Sequence, residues 1–329
     1  VTTQPRPWVI GHRGASGYRP EHTRAAYELA FALGADAVEP DIVATRDGVL
    51  VIRHENEISG TTDVARHPEF ADRRTTKSFG PVTMTGWFTE DFTWDELSTL
   101  RATERLPAQR PGSATFDGRY PILRLDELLE LIADASARHG RPLGLVAEIK
   151  HAVYFEAIGL PLAGRVAEAL ARFPGPLVVE SFEETVLGEV RQHGLDARYV
   201  YLLEDSGTAP DLMLRFGASA PDYSTQLGDE GLADLATRVD GISVDKGRLL
   251  KPDARAGVEL VDRAHRLGLE VFTWTLRPEN RFLTKPNRSA AGPREWGDWR
   301  AEFDAILATG VDGVFADHPD LAIAARDER

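Results

Sequence analysis

The sequence has no cysteine and only two methionines in 329 residues. Without cysteine there is no disulfide framework, no iron–sulfur cluster, no thiolate zinc site and no thiol nucleophile. Long apolar runs are also missing: no window approaches the roughly 18 uninterrupted apolar residues needed to span a bilayer. Positive charge is short, with 38 Lys and Arg against 52 Asp and Glu and a formal net charge of −14. That balance disfavours nonspecific binding to nucleic acid and to an anionic membrane surface, because both need cationic patches. An anionic ligand would need a local reversal of this field. Motif absences narrow the chemistry further. Gly11–Gly17 lacks both the P-loop Lys-Ser/Thr and the dinucleotide spacing. No Gly-x-Ser-x-Gly elbow points to a serine hydrolase, and no His-x-x-x-His helix points to zinc. The polar stretch Val1–Pro7 is expected to be a mature or trimmed start.

What is present is alternation. A hydrophobic fraction of 42% is too high for a disordered chain. Strands are expected at Trp8–Gly11, Ala37–Thr45, Val49–Arg53, Leu143–Ile149, Leu177–Glu180, Ala197–Leu203, Gly241–Val244, Glu270–Trp274 and Val311–Phe315. Helices are expected at Arg24–Leu33, Leu125–Ala137, Leu162–Phe173, Glu183–His193, Leu232–Val239, Arg255–Leu267 and Trp299–Ala308. Glycines or Pro-Gly pairs stop several of them, as Gly34, Pro174-Gly175, Gly268 and Gly310 do. About eight strand–helix units over this length favour a closed parallel (β/α)8 TIM barrel over an open sheet. The expected fold class is α/β, with residues 1–329 expected to form one domain.

One stretch breaks the rhythm. Glu55–Tyr120 is too long for a connecting loop and is expected to form a small inserted subdomain over one end of the barrel. Its aromatics Trp87, Phe88, Phe92 and Trp94 are expected to make a mini-core rather than a ligand platform. Arg277–Trp296 is expected to form a rim loop.

In such a barrel the reactive groups sit where strands end. The first strand ends in Gly11-His12-Arg13-Gly14, and the second carries Glu39 and Asp41. The third runs into His54, and a later one ends in Glu148-Ile149-Lys150. Residues i and i+2 share a face, so Glu39 and Asp41 project together, as do Glu148 and Lys150. Converging carboxylates in a low-dielectric mouth repel unless a cation neutralises them. Oxygen ligands without thiolates point to a hard ion, Mg²⁺ or Ca²⁺. His12 and His54 suit a general acid/base pair or metal ligation, since imidazole titrates near neutrality. Arg13 offers a planar fork for phosphate and Lys150 a point charge. The remaining histidines, at 22, 67, 139, 151, 193, 265 and 318, are taken as structural, with His22 the least certain.

The run His12-Arg13-Gly14-Ala15-Ser16-Gly17-Tyr18-Arg19-Pro20-Glu21-His22-Thr23 resembles the opening motif of the glycerophosphodiester phosphodiesterases. Further resemblance lies in Gly34-Ala35-Asp36, Glu39-x-Asp41, Thr45-x-Asp47-Gly48, Val51-x-x-His54, Glu148-Ile149-Lys150, Ser181-Phe182 and Thr273-Trp274-Thr275. It ends with Asp312-Gly313-Val314-Phe315-x-Asp317-x-Pro319-Asp320, so the matches span nearly the whole chain in family order. The resemblance implies a divalent ion held by Glu39, Asp41 and Glu148. It implies His12 and His54 as the acid/base pair, Arg13 and Lys150 on the phosphate, Trp274 on the wall near the alcohol, and Glu21 holding the first loop. The length of the insertion is similar to the secreted or periplasmic bacterial branch, which is associated with Ca²⁺. Pro40 departs from the family pattern and removes one strand N–H.

The expected activity is metal-dependent hydrolysis of small glycerophosphodiesters such as glycerophosphoethanolamine or glycerophosphocholine. Lysophospholipase D-type or sphingomyelinase D-like enzymes on the same barrel are alternatives, as is cleavage of the other P–O bond to give a phospho-alcohol and glycerol. A two-carboxylate glycosidase and a non-catalytic binding barrel are more distant ones. The expected partner is the small-molecule substrate, with no nucleic acid and no stable membrane insertion. The expected assembly is a monomer or small homo-oligomer.

Overall fold

Pro40 is the first place where the chain departs from a simple strand–helix count. Proline has no N–H to give to a ladder, so the single strand expected over Ala37–Thr45 is divided. In the computed structural model, which describes residues 6–79, 82–250 and 254–328, it becomes β2 (Ala37–Glu39) and β3 (Asp41–Ala44). Residues 1–5 of the polar start lie outside the described residues. The first strand, β1, is Trp8–His12. After Asp47-Gly48, β4 (Leu50–Ile52) folds back antiparallel on β3, with Gly48 at φ +79°. The insertion has its own hairpin, β5 (Thr75–Phe79) with β6 (Val82–Gly86). The remaining strands are β7 (Gly144–Ile149), β8 (Leu177–Ser181), β9 (Arg198–Leu203), β10 (Gly241–Asp245), β11 (Glu270–Leu276) and β12 (Gly313–Ala316).

These strands close into a ring. β1 pairs in parallel with both β2 and β12, and parallel pairing continues from β12 through β11, β10, β9, β8 and β7. β7 then pairs with β2 at its start and β3 at its end, so those two short strands act as one stave. The result is a closed parallel barrel of eight staves with helices between them, the (β/α)8 TIM-barrel fold. The expected strand into His54 is present as β4, and the hairpin turn at Asp47-Gly48 makes it an antiparallel arm outside the ring.

Strand alternation fills the barrel. Ile10, Ala37, Val146, Val178, Val200, Phe272 and Phe315 form an interior apolar plug, with Trp8 and Trp274 packed on it. The outward positions meet the helices in a second, larger cluster. Helix Leu125–His139 shows why: Leu125, Leu128, Leu131, Ile132 and Ala135 recur at helical spacing and are buried. Each large apolar side chain so buried contributes roughly 1.5–3 kcal/mol. Gly140, at φ +63°, ends that helix. Thr23 starts the helix Arg24–Ala32 by accepting from the Ala26 N–H at 3.2 Å.

The insertion does not stand apart. Phe70, Trp87, Phe92, Leu97 and Leu100 belong to the same buried cluster as Val43 and Val51 of the barrel. The Trp87 indole N–H donates to the Phe70 carbonyl at 2.6 Å. Among the described residues no helix is long and apolar enough to cross a membrane.

Candidate active site

Inward-facing residues at the carboxyl ends of the strands change from apolar to ionisable. Below them lies the plug; above it come His12, Glu39, Asp41, Glu148, Lys150 and Glu180. Register brings them side by side: His12 pairs with Glu39, Asp41 with Glu148, and Glu148 with Glu180. Neighbouring strands lie about 4.8 Å apart, so these groups interact across the ladder. All six are buried, Asp41 fully and His12 to 9% exposure.

Three carboxylates converge. Among the described residues, Glu39, Glu148 and Glu180 each offer an oxygen, and those oxygens lie within 4.8 Å of one another. Glu39 Oε1 and Glu180 Oε2 have no hydrogen-bond partner. Burial holds Glu39 and Glu180 well above the usual carboxylate range, and neighbouring carboxylates add to it. Burial raises Glu148 to about 8 despite Lys150 beside it. Asp41 behaves otherwise. Its Oδ2 accepts from His22 Nε2 at 2.8 Å and lies 3.3 Å from Arg13 Nε. Its Oδ1 lies 3.0 Å from Lys150 Nζ, which is also 2.5 Å from Glu148 Oε1. Burial opposes its charge, but Lys150, His54 and Arg13 hold Asp41 well below the usual range. The structure thus brings Glu39 and Glu148 together as expected and sets Asp41 beside them among cations. Glu180 completes the triad. The period-2 rule that singled out Glu39 and Glu148 applies equally to Glu180 at the end of β8.

Arg13 is aimed by its own backbone. Its φ is +59°, and its N–H donates to both the Glu39 carbonyl at 3.0 Å and Glu39 Oε2 at 2.9 Å. His22 and His151 also have positive φ, at +59° and +52°, so these three unfavourable backbone positions ring one site. His22, taken as structural from the sequence, is fully buried between Tyr27 Oη and Asp41, each at 2.8 Å.

The two histidines each rest on a carboxylate. His12 Nδ1 is 2.6 Å from Asp317 Oδ1, and His54 Nδ1 is 2.5 Å from Glu55 Oε1. Burial, reinforced by Arg13, lowers His12 to about 4. Burial, reinforced by Arg13 and Lys150, lowers His54 to about 3. Both imidazoles are therefore neutral at neutral pH, with Nε2 left for a further partner. Trp274 meets Phe182 edge-on at 5.6 Å between centroids, and Lys150 Nζ sits 5.4 Å over the Phe182 ring.

Sequence reasoning did not find the outer brace. Arg105 and Arg110 come from the insertion, Glu279 and Arg277 from the rim loop. Arg110 donates to Asp317 Oδ2 at 2.6 Å and Glu279 Oε1 at 2.7 Å, and Arg277 donates to Asp317 Oδ2 at 2.7 Å. Arg105 donates to Glu21 at 2.7 and 2.8 Å and to Glu55 at 2.7 and 3.0 Å. Glu21 in turn accepts from Arg13 Nη1 at 3.2 Å. These pairings join residues far apart in the chain, and no local pattern signals them. A groove of about 1520 Å³ also lies between the helices Glu184–Gln192 and Asp229–Leu235. It contains none of the groups gathered at the mouth, so the chemistry is assigned to the mouth.

A parallel barrel whose mouth combines buried acids, fixed cations and neutral imidazoles is built as a hydrolase for an anionic ester. Residues 12–321 match the glycerophosphoryl diester phosphodiesterase family. A glycerophosphodiester phosphodiesterase of Arabidopsis thaliana is 32% identical over 95% of this chain and 84% of its own length. One from Haemophilus influenzae is 25% identical over 96% of this chain and 88% of its own. A crystal structure of a putative member from Silicibacter pomeroyi has 24% identity and a TM-score of 0.66, covering 98% of this chain and 93% of its own. The Oleispira antarctica phosphodiesterase, solved with the product sn-glycerol-3-phosphate, has 21% identity and a TM-score of 0.62 over 98% of this chain and 97% of its own. The chain belongs to the glycerophosphodiester phosphodiesterase family and is a phosphoric diester hydrolase.

Proposed function

We propose that this enzyme hydrolyses small glycerophosphodiesters, such as glycerophosphoethanolamine or glycerophosphocholine, with a divalent cation and a pair of histidines. One observation carries the reading: buried carboxylate oxygens without donors converge beside two fixed cations and two carboxylate-bound imidazoles.

The residues present fit a hard divalent ion. Glu39 Oε1 and Glu180 Oε2 are buried acceptors with no donor, a costly arrangement unless something positive binds. Glu39, Glu148 and Glu180 would hold Ca²⁺ or Mg²⁺, with Asp41 as the neighbouring acid. Such an ion supplies Lewis-acid polarisation of a phosphoryl oxygen.

The chain's own groups do the rest. Arg13 and Lys150 face the diester and stabilise the charge that builds on its equatorial oxygens. One neutral imidazole takes the proton of the attacking hydroxyl, which in the family-like route is the glycerol 2-hydroxyl. The other histidine acts from its imidazolium form, carrying a proton on Nε2 when the anionic diester is bound, and delivers that proton to the leaving oxygen; the two roles reverse when water attacks, which restores both rings. Water then opens the resulting cyclic phosphate. Trp274 and Phe182 wall the side where the alcohol leaves. The glycerol phosphate product bound to the Oleispira relative supports attack on a glycerophosphodiester. A secreted or periplasmic setting is part of the same proposal.

Product analysis tests the reading. Glycerophosphoethanolamine, glycerophosphocholine and a lysophospholipid are incubated with the protein, with EDTA or with each cation, and followed by ³¹P NMR. Glycerol phosphate from the first two, only with cation, is the expected result. Turnover of the lysophospholipid alone, or undiminished turnover in EDTA, overturns it.

A further inference from the structure

The insertion reaches the two histidines through arginines, and each path has a single intermediate. Arg105 Nη1 and Nη2 donate to Glu55 Oε1 and Oε2 at 3.0 and 2.7 Å, and Glu55 Oε1 is 2.5 Å from His54 Nδ1. Arg110 Nη2 donates to Asp317 Oδ2 at 2.6 Å, and Asp317 Oδ1 is 2.6 Å from His12 Nδ1. Arg105 takes both oxygens of Glu55, sharing Oε1 with His54, whereas Arg110 takes Oδ2 of Asp317 and leaves Oδ1 to His12.

We propose that the inserted subdomain is a positioning device, in which Arg105 fixes Glu55 behind His54 and Arg110 fixes Asp317 behind His12. The inference rests on the acid–base reading of the two histidines. A carboxylate on Nδ1 keeps the proton there and leaves the Nε2 lone pair free. It does so only if its own plane is held, and a guanidinium fork is the group that holds a carboxylate plane. Arg105 is more than a clasp for the insertion, because its other two bonds go to Glu21, the carboxylate partner of Arg13. One side chain thus registers a histidine and the phosphate-facing arginine together. Packing alone would not require it. The Arg110–Asp317 pair is 6% and 1% exposed. Buried ion pairs are often no more stabilising than apolar packing of the same volume. The two paths differ in redundancy, since Arg277 also donates to Asp317 at 2.7 Å.

A double-mutant cycle on the full chain, with saturating cation and glycerophosphocholine or whichever diester the ³¹P assay finds, tests this. Arg105→Met should lower kcat by about 10–100-fold with KM changed less than about threefold. In a His54→Ala background the same substitution should cost several-fold less, because one of the two groups it positions is gone while the Glu21–Arg13 path remains. Equal loss in both backgrounds, or a kcat within about threefold of the parent, overturns the inference. If Arg105→Met does not fold, Arg105→Lys serves. It keeps the charge but lacks the planar fork that takes both oxygens of Glu55 and both of Glu21, so kcat should still fall by about fivefold or more, and parental kcat overturns the inference. Ring ¹⁵N shifts of His54 should report an Nδ1–H tautomer in the parent and a mixture in the variant; an unchanged tautomer counts against the inference. Arg110→Met should cost less than Arg110→Met with Arg277→Met, and equal costs overturn that half. Should His54→Ala itself keep full turnover, the acid–base reading fails, a result separable from any outcome at Arg105.

Discussion

The roles of single residues depend on which neighbours neutralise them. Asp41 and Glu148 are adjacent in register, yet Asp41 is held ionised while burial pushes Glu148 up to about 8. The difference is that Asp41 is surrounded by Lys150, Arg13 and His22, whereas Glu148 faces Glu180 and Glu39 as well as Lys150. Glu180→Gln should therefore weaken Ca²⁺ or Mg²⁺ binding by about tenfold or more, as titration calorimetry would read; unchanged affinity would remove Glu180 from the cation set. His12→Ala and His54→Ala should each lower turnover by about 10²-fold or more while cation content stays at the parental level. Near-parental turnover in either variant, with metal retained, would sink that histidine's assignment.

Elements matter here through how they end. The β1 turn places Arg13 at φ +59° and Gly14 at φ +85°, so two left-handed residues follow each other. A Cβ on Gly14 would lie 2.6 Å from the Ala26 backbone carbon, inside the first helix of the barrel. Gly14→Ala should thus cost about 1–3 kcal/mol and displace Arg13, lowering both Tm and turnover. A parental melting curve would show that the helix can yield. Pro40 works similarly on the second stave. By interrupting the ladder it lets Glu39 join β1 and Asp41 join β7, so the two acids of one short segment face different neighbours. Their shared side was legible from periodicity; their different partners were not, because partner choice depends on pairing with distant strands.

For the whole molecule, folding free energy is linked to the titration of the acidic set. Burial raises Glu148 from 4.5 to about 8, so its stabilising contribution is full below pH 4.5 and is lost as pH rises through 8. Burial lowers His12 and His22 from 6.5 to about 4, a contribution present above 6.5 and lost as pH falls. His54, His151 and His318 are lowered in the same way, and all five titrate in the unfolded chain around 6.5, so the carboxylates set the sign only between pH about 7.5 and 8.5. The cation-free protein should lose Tm across that window, as scanning calorimetry in EDTA would follow. Added Ca²⁺ or Mg²⁺ should stabilise most at its upper end, by about 2.7 kcal/mol at a hundredfold excess over Kd. A Tm in EDTA that is flat or rising from about 7.5 to 8.5 would contradict the buried acidic set.

The sequence by itself determined the strand–helix alternation, the barrel, and the residues at strand ends, because period 2 and period 3.6 are local properties of hydrophobic order. Family resemblance over His12–Thr23 and Glu148–Lys150 named the chemistry. The insertion was visible as a break in that order, but its use was not. Only the tertiary structure decided that Glu180 shares the acidic set, that Asp41 pairs with His22 and Lys150, that His54 rides on an arm outside the ring, and that Arg105 and Arg110 reach the carboxylates behind the histidines. Each of these is a contact between segments many residues apart. It is set by closure of the barrel and by burial of charge that must find a partner, and neither leaves a mark on adjacent residues.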